Sequence, residues 1–143
     1  MANTAGHETC RNPGMRSRVT RRSAALTQGA FFVATGVWPI VHMPSFERVT
    51  GPKTDRWLVR TLAGLIAVVG GTLIADALGR RADDAQLSPV LGIASASALG
   101  LSDVVYAGRG IISKVYLADA VVELGLVGLW LAALKGARSP AHG

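Results

Sequence analysis

Asp119 and Glu123 stand four residues apart in VYLADAVVELGLVGLWLAAL, residues 115–134, a run otherwise apolar enough to cross a bilayer. On a helix this spacing, with Tyr116 three residues ahead of Asp119, makes one stripe. Such a stripe can hold a cation, give and take a proton as general acid and base, or lock a neighbouring helix in register. An ionised carboxylate at the bilayer centre costs roughly 3 kcal/mol on insertion scales, so acids placed there face the bundle, a partner or water.

Other polar residues gather at the same depth. Asp103 and Tyr106 sit three apart near the end of the third apolar run, and Arg56 and Arg60 four apart at the start of the second. His42 closes the first run just after Pro39, whose missing N–H and ring clash should bend or end a helix. The sequence therefore nominates His42, Arg60, Asp103, Tyr106, Asp119 and Glu123 as a ligand- or ion-binding cluster, with Arg56, Arg109, Lys114 and Tyr116 around it. Arg60 is the expected partner of Asp119, with Arg109 or Lys114 next. Three readings compete for the cluster: a binding or transport site, a structural network in an accessory subunit, and a membrane enzyme in which His42 assists the acids on a lipid-soluble substrate.

Familiar catalytic signatures are absent, so no catalytic residue is assigned and the enzyme reading is the weakest. No HExxH, Gly-rich phosphate loop or serine nucleophile elbow occurs. Cys10 is the single cysteine and His42 the only histidine near an apolar run, which leaves no donor set for a metal centre and no cofactor to predict.

The elements that must position these groups follow from the apolar pattern. Half of the residues, 50%, are hydrophobic and they come in blocks, about Ser23 to Met43, Asp55 to Leu78, Pro89 to Ala107 and Lys114 to Leu134. At roughly 1.5 Å of rise per residue each block spans a hydrocarbon core about 30 Å thick. A soluble bundle needs a polar face on every helix, and TLAGLIAVVGGTLIA, residues 61–75, has none. The expected fold is all-α, a polytopic bundle of four transmembrane helices over 23–134, between a basic tail of residues 1–22, expected to be disordered, and a short tail of 135–143.

Small residues at four-residue spacing predict close helix packing: Ala67, Gly71 and Ala75, then Gly92, Ala96 and Gly100, then Gly128, Ala132 and Gly136. Ser88 followed by Pro89 predicts an N-cap and first turn, and Asp76 with Arg80 an i,i+4 pair. In HMPSFERVTGPKTDRWLVR, residues 42–60, Phe46 and Val49 give a short amphipathic turn that could cap the bundle mouth, and Trp38 and Trp57 flank the segment as interface anchors.

Charge sets orientation and partners. Arg11, Arg16, Arg18, Arg21, Arg22, Arg80, Arg81, Lys135 and Arg138 share one side of the predicted topology, against Arg48, Lys53, Arg56, Arg60, Arg109 and Lys114 on the other. The positive-inside rule then puts both termini in the cytoplasm and the polar cluster outside, in a cell (inner) membrane protein. The net charge of +6 does not signal nucleic acid, because the basic run CRNPGMRSRVTRR carries no aromatic residue; it fits anionic lipid headgroups. A homo-oligomer or a membrane partner is compatible with so small a bundle.

GVWPIVHMPSFERVTGPKTDRWLVRT, the Gly-rich second span and SKVYLADAVVELGLVGLW together resemble a family of small uncharacterised bacterial integral membrane proteins with four helices. The resemblance covers roughly residues 29–134 and implies no activity.

Overall fold

The computed structural model describes residues 19–79 and 87–138. Five helices follow in order: α1 (Arg21–Val41), α2 (Met43–Thr50), α3 (Arg56–Leu78), α4 (Leu87–Gly108) and α5 (Tyr116–Arg138). All but α2 are long and apolar enough to cross a membrane, and no strand occurs among the described residues. The chain is an all-α, multi-pass bundle, with α2 as a short fifth helix where the sequence announced an amphipathic turn.

Local chemistry sets the helix ends. Thr20 and Ser23 form a capping box, Ser23 N–H donating to Thr20 Oγ1 at 3.1 Å and Thr20 N–H to Ser23 Oγ at 3.0 Å. α1 therefore starts at Arg21, two residues before the apolar run, and takes Arg21 and Arg22 from the basic tail. Arg11, Arg16, Arg18, Arg80 and Arg81 lie outside the described residues, as do Cys10 and 139–143. Ser88 is not an N-cap: α4 begins one residue earlier, and the Ser88 hydroxyl donates to Asp76 Oδ2, tying the end of α3 to the start of α4. The proposed partner of Asp76, Arg80, is among the residues not described.

Pro39 does not end α1 at once; the helix runs to Val41, where His42 N–H donates to Trp38 O at 2.8 Å. The chain then turns directly into α2, with Pro44 in the first turn where its missing N–H costs nothing. Gly51 ends α2 with φ +87, a backbone conformation glycine adopts freely, and its N–H donates to Glu47 O.

The long helices pack as two antiparallel pairs, α1 on α3 and α4 on α5, which meet each other more sparsely. In the first pair Gly29 faces Gly70, and Gly36 faces Ala63 and Ala67. A Cβ on Gly70 would lie 2.7 Å from the Gly29 carbonyl oxygen and 2.8 Å from Phe32 Cβ, so the two backbones approach as only glycine permits. Of the small-residue ladders, Gly92, Ala96 and Gly100 is buried as predicted. The other two are displaced: Gly71 and Ala75 are exposed while Ala63, Gly70, Leu73 and Ala77 are buried, and Gly128 and Ala132 face outward while Ala120, Leu126, Trp130 and Ala133 are buried.

The pairs are pinned at the end that carries the start of α1 and the end of α5. Gln28 of α1, fully buried, donates from Nε2 to Gly92 O at 2.9 Å and to Ser95 Oγ at 3.3 Å, both on α4. Its Oε1 accepts from Trp130 Nε1 of α5 at 2.6 Å. One amide thus joins three helices, and Ala24, Ala25, Leu73, Ala77 and Ala133 close around Trp130.

Candidate functional site

Toward the opposite end, where α2 lies, the two pairs leave a cavity of about 170 Å³ between them. Phe31 and Phe32 of α1, Phe46 of α2 and Tyr116 of α5 give it aromatic walls, and Asp119 and Glu123 of α5 are its acids. Phe31, Thr35, Phe46, Tyr116 and Asp119 also line an adjoining chamber of about 260 Å³ that reaches Trp38 and Val49.

Helical period explains why the acids arrive there. Ala120, Glu123, Leu126, Trp130 and Ala133 form the buried stripe of α5, so Glu123 occupies a core position and is only 1% exposed. Gly100 of α4 makes room for it: a Cβ there would sit 3.1 Å from Glu123 Cβ. Glu123 Oε2 is buried with no hydrogen-bond partner, and so is Asp103 Oδ2. Asp103 of α4 and Asp119 of α5 bring their carboxyls within hydrogen-bonding reach of one another, and both act electrostatically on Glu123.

The cation expected to neutralise this group is elsewhere. Arg60 is exposed and makes no ion pair among the described residues, and Arg109 and Lys114 are exposed around the α4–α5 turn, likewise unpaired. Depth along the chain placed Arg60 level with Asp119 but could not give its direction around α3. Arg56 is engaged with Glu47 of α2, Nε to Oε1 and Nη2 to Oε2 both at 2.8 Å, a two-pronged bridge of the kind guanidinium makes best. Tyr106 is 46% exposed and does not line the cavity. His42 is exposed and caps α2, its Nδ1 accepting from Ser45 N–H at 3.1 Å, so it forms no acid–base pair with Asp119 or Glu123. Of the ten nominated residues, the structure gathers Asp103, Tyr116, Asp119 and Glu123.

The sequence suggested an amphipathic cap at residues 42–60 but not the contacts that hold it. α2 is held over the cavity mouth by the Glu47–Arg56 bridge, by Trp38 Nε1 donating to Ser45 Oγ at 2.7 Å, and by the Trp38 and Phe46 rings, edge to face at 5.6 Å. Lys53 Nζ lies 4.9 Å from the centroid of the Tyr116 ring, a cation–π contact that ties the α2–α3 connection to α5. Glu47 lies in the segment read as an amphipathic turn from Phe46 and Val49, and its link to Arg56 nine residues on has no helical period to announce it.

The hydrogen bonds from Arg56 hold the Glu47 carboxyl below its ordinary range. A depressed carboxyl supports the fold above its unfolded value, and that support is lost as pH falls through the folded value. Docking of α2 should therefore loosen only on strong acidification. The indole N–H resonance of Trp38, assigned through Trp38→Phe, is expected to shift there, and Glu47→Gln to show the loosened position at every pH.

No group of three or more histidine, cysteine or acidic residues able to hold a metal ion occurs among the described residues. Comparison of the chain with family models, with curated proteins and with solved structures finds no match.

Proposed function

We propose that this chain is an integral membrane protein of the bacterial cell membrane that binds, and in transport would pass, a small molecule or ion at the acid-lined cavity. The supporting observation is Glu123, a carboxyl buried to 1% exposure whose Oε2 has no partner and which lines a cavity instead of a salt bridge. Burying such a group without compensation is costly, and an arriving ligand supplies the compensation. The Lys and Arg distribution orients both termini to the cytoplasm, which puts α2 and the cavity in the extracytoplasmic half. The basic residues ahead of α1 then meet anionic headgroups on the inner leaflet.

A second reading has one observation in its favour. Asp103 and Asp119 are neighbours across α4 and α5, so the two acids could serve only to join those helices in an accessory subunit. The enzyme reading keeps its acids but loses the histidine meant to assist them, since His42 caps a helix and does not line the cavity.

Thiol labelling separates the first two. Thr35 lines both chambers and its hydroxyl bonds only back to its own helix, so Thr35→Cys in a Cys10→Ser background should fold normally. A small membrane-impermeant thiol reagent added from the extracytoplasmic side is expected to modify it. No reaction with small charged or neutral reagents from either side would leave the structural reading standing.

A further inference from the structure

A binding role for the cavity, the premise of this inference, leaves the ligand open among inorganic ions, neutral molecules and organic ions. The cavity chemistry narrows the choice. An inorganic cation such as calcium takes six to eight oxygen ligands, and magnesium a full octahedron. Beyond Asp119 and Glu123, the side-chain oxygens at the cavity are the hydroxyls of Thr35 and Tyr116; the rest of the lining is aromatic and aliphatic. A dehydrated metal ion would be under-coordinated there, which agrees with the absence of a metal-holding group among the described residues. A neutral apolar ligand would suit the walls but leave Glu123 Oε2 as unmatched as before. An anion would meet the carboxyls of Asp119 and Glu123.

An organic ammonium satisfies both parts. It has at most three donors to place, which the two carboxylates can accept, and its positive end is attracted to the faces of aromatic rings. Its apolar body takes the remaining wall. A cavity of about 170 Å³ is of the size that admits one aromatic ring, as engineered cavities of about 150 Å³ lined by Leu, Ile and Phe bind benzene. The adjoining chamber, sharing Asp119 and Tyr116, gives room for a short chain.

We propose that the ligand is a lipophilic amine in its ammonium form, seated with its cation between Asp119 and Glu123 and its apolar body against Phe31, Phe32, Phe46 and Tyr116. Any carboxyl that carries a proton before binding must release it to pair with the ammonium, so protons and ligand compete. The titratable and charged groups around the cavity are Tyr116, Asp119 and Glu123 of α5, Asp103 of α4 and Lys53 over Tyr116; α1 and α3 contribute none to its lining.

The test is equilibrium binding of 2-phenylethylamine to the full chain in lipid nanodiscs, beside 2-phenylethanol as the uncharged analogue of similar shape. The amine is expected to bind saturably, at least about tenfold more tightly than the alcohol, as a charge-assisted hydrogen bond exceeds a neutral one. Affinity should fall as pH is lowered, and Glu123→Gln, with wild-type folding checked by its unfolding midpoint, should lose about tenfold or more. Equal affinity for amine and alcohol would overturn the proposal, as would displacement of the amine by sodium or calcium in place of protons. Should Glu123→Gln fail to fold, the alcohol comparison and pH series on the wild type decide alone. Amine binding absent while Thr35→Cys still labels would sink the ligand assignment and spare the binding site; failure of both would remove the site itself.

Discussion

Trp130→Ala is expected to destabilise the bundle by about 3–5 kcal/mol, because it empties the centre of the terminal-end core and strands a buried amide oxygen. Trp130 is fully buried among Ala24, Ala25, Leu73, Ala77 and Ala133, and its indole N–H is a donor to Gln28 Oε1 at 2.6 Å. Removing it opens a void that small alanines cannot fill, and leaves an acceptor with no water at hand. Trp130→Phe keeps much of the volume and loses the donor, for an expected loss of about 1–3 kcal/mol. Reversible unfolding in mixed micelles measures both. Equal losses for Ala and Phe would mean that the ring's packing contributes nothing and the hydrogen bond everything.

Gly70→Ala and Gly71→Ala should differ in sign although they are adjacent and chemically identical. A methyl on Gly70 meets the Gly29 carbonyl at 2.7 Å, Phe32 Cβ at 2.8 Å and Val33 N at 2.9 Å, backbone and near-backbone atoms that yield only if α1 and α3 separate. Overpacking of this kind costs about 1–3 kcal/mol. Nothing lies within 4 Å of a methyl on Gly71, where the higher helix propensity of alanine should make the change neutral or stabilising by up to about 1 kcal/mol. The same unfolding assay reads both. A neutral Gly70→Ala would mean that α1 and α3 pack more loosely than these distances require.

These cases show where the sequence stops informing. Four spans were legible because unbroken apolar runs of membrane length have few other uses, and the depth of Asp103, Asp119 and Glu123 followed from their positions within those runs. Direction around each helix was not. A membrane helix is apolar on every side, so the contrast that marks the buried face of a soluble helix is missing. Four-residue spacing therefore selected Gly71 over Gly70, and Gly128 over the Ala120–Trp130 stripe. The same blindness to direction paired Arg60 with Asp119. Gln28 was passed over because a lone glutamine has no period; its importance comes from Gly92, Ser95 and Trp130, all more than sixty residues away. Two stripes are exceptions: Gly92, Ala96 and Gly100 are buried as their spacing implied, and the i, i+3, i+4 placement of Tyr116, Asp119 and Glu123 puts all three on one wall.

The bundle thus has two unlike ends. Near the start of α1 and the end of α5 a fully satisfied amide locks three helices, and toward α2 three carboxyls beside an aromatic cavity make no ion pair among the described residues. On the proposed binding role, Asp119 and Glu123 face an accessible space. Its most direct test is the rate at which Thr35→Cys, in the Cys10→Ser background in membranes, reacts with aminoethyl methanethiosulfonate relative to its neutral methyl counterpart, each corrected for its rate with free thiol. A preference for the cationic reagent that Glu123→Gln reduces by about tenfold is expected; no preference, or one untouched by Glu123→Gln, would rule out an acid-lined accessible cavity.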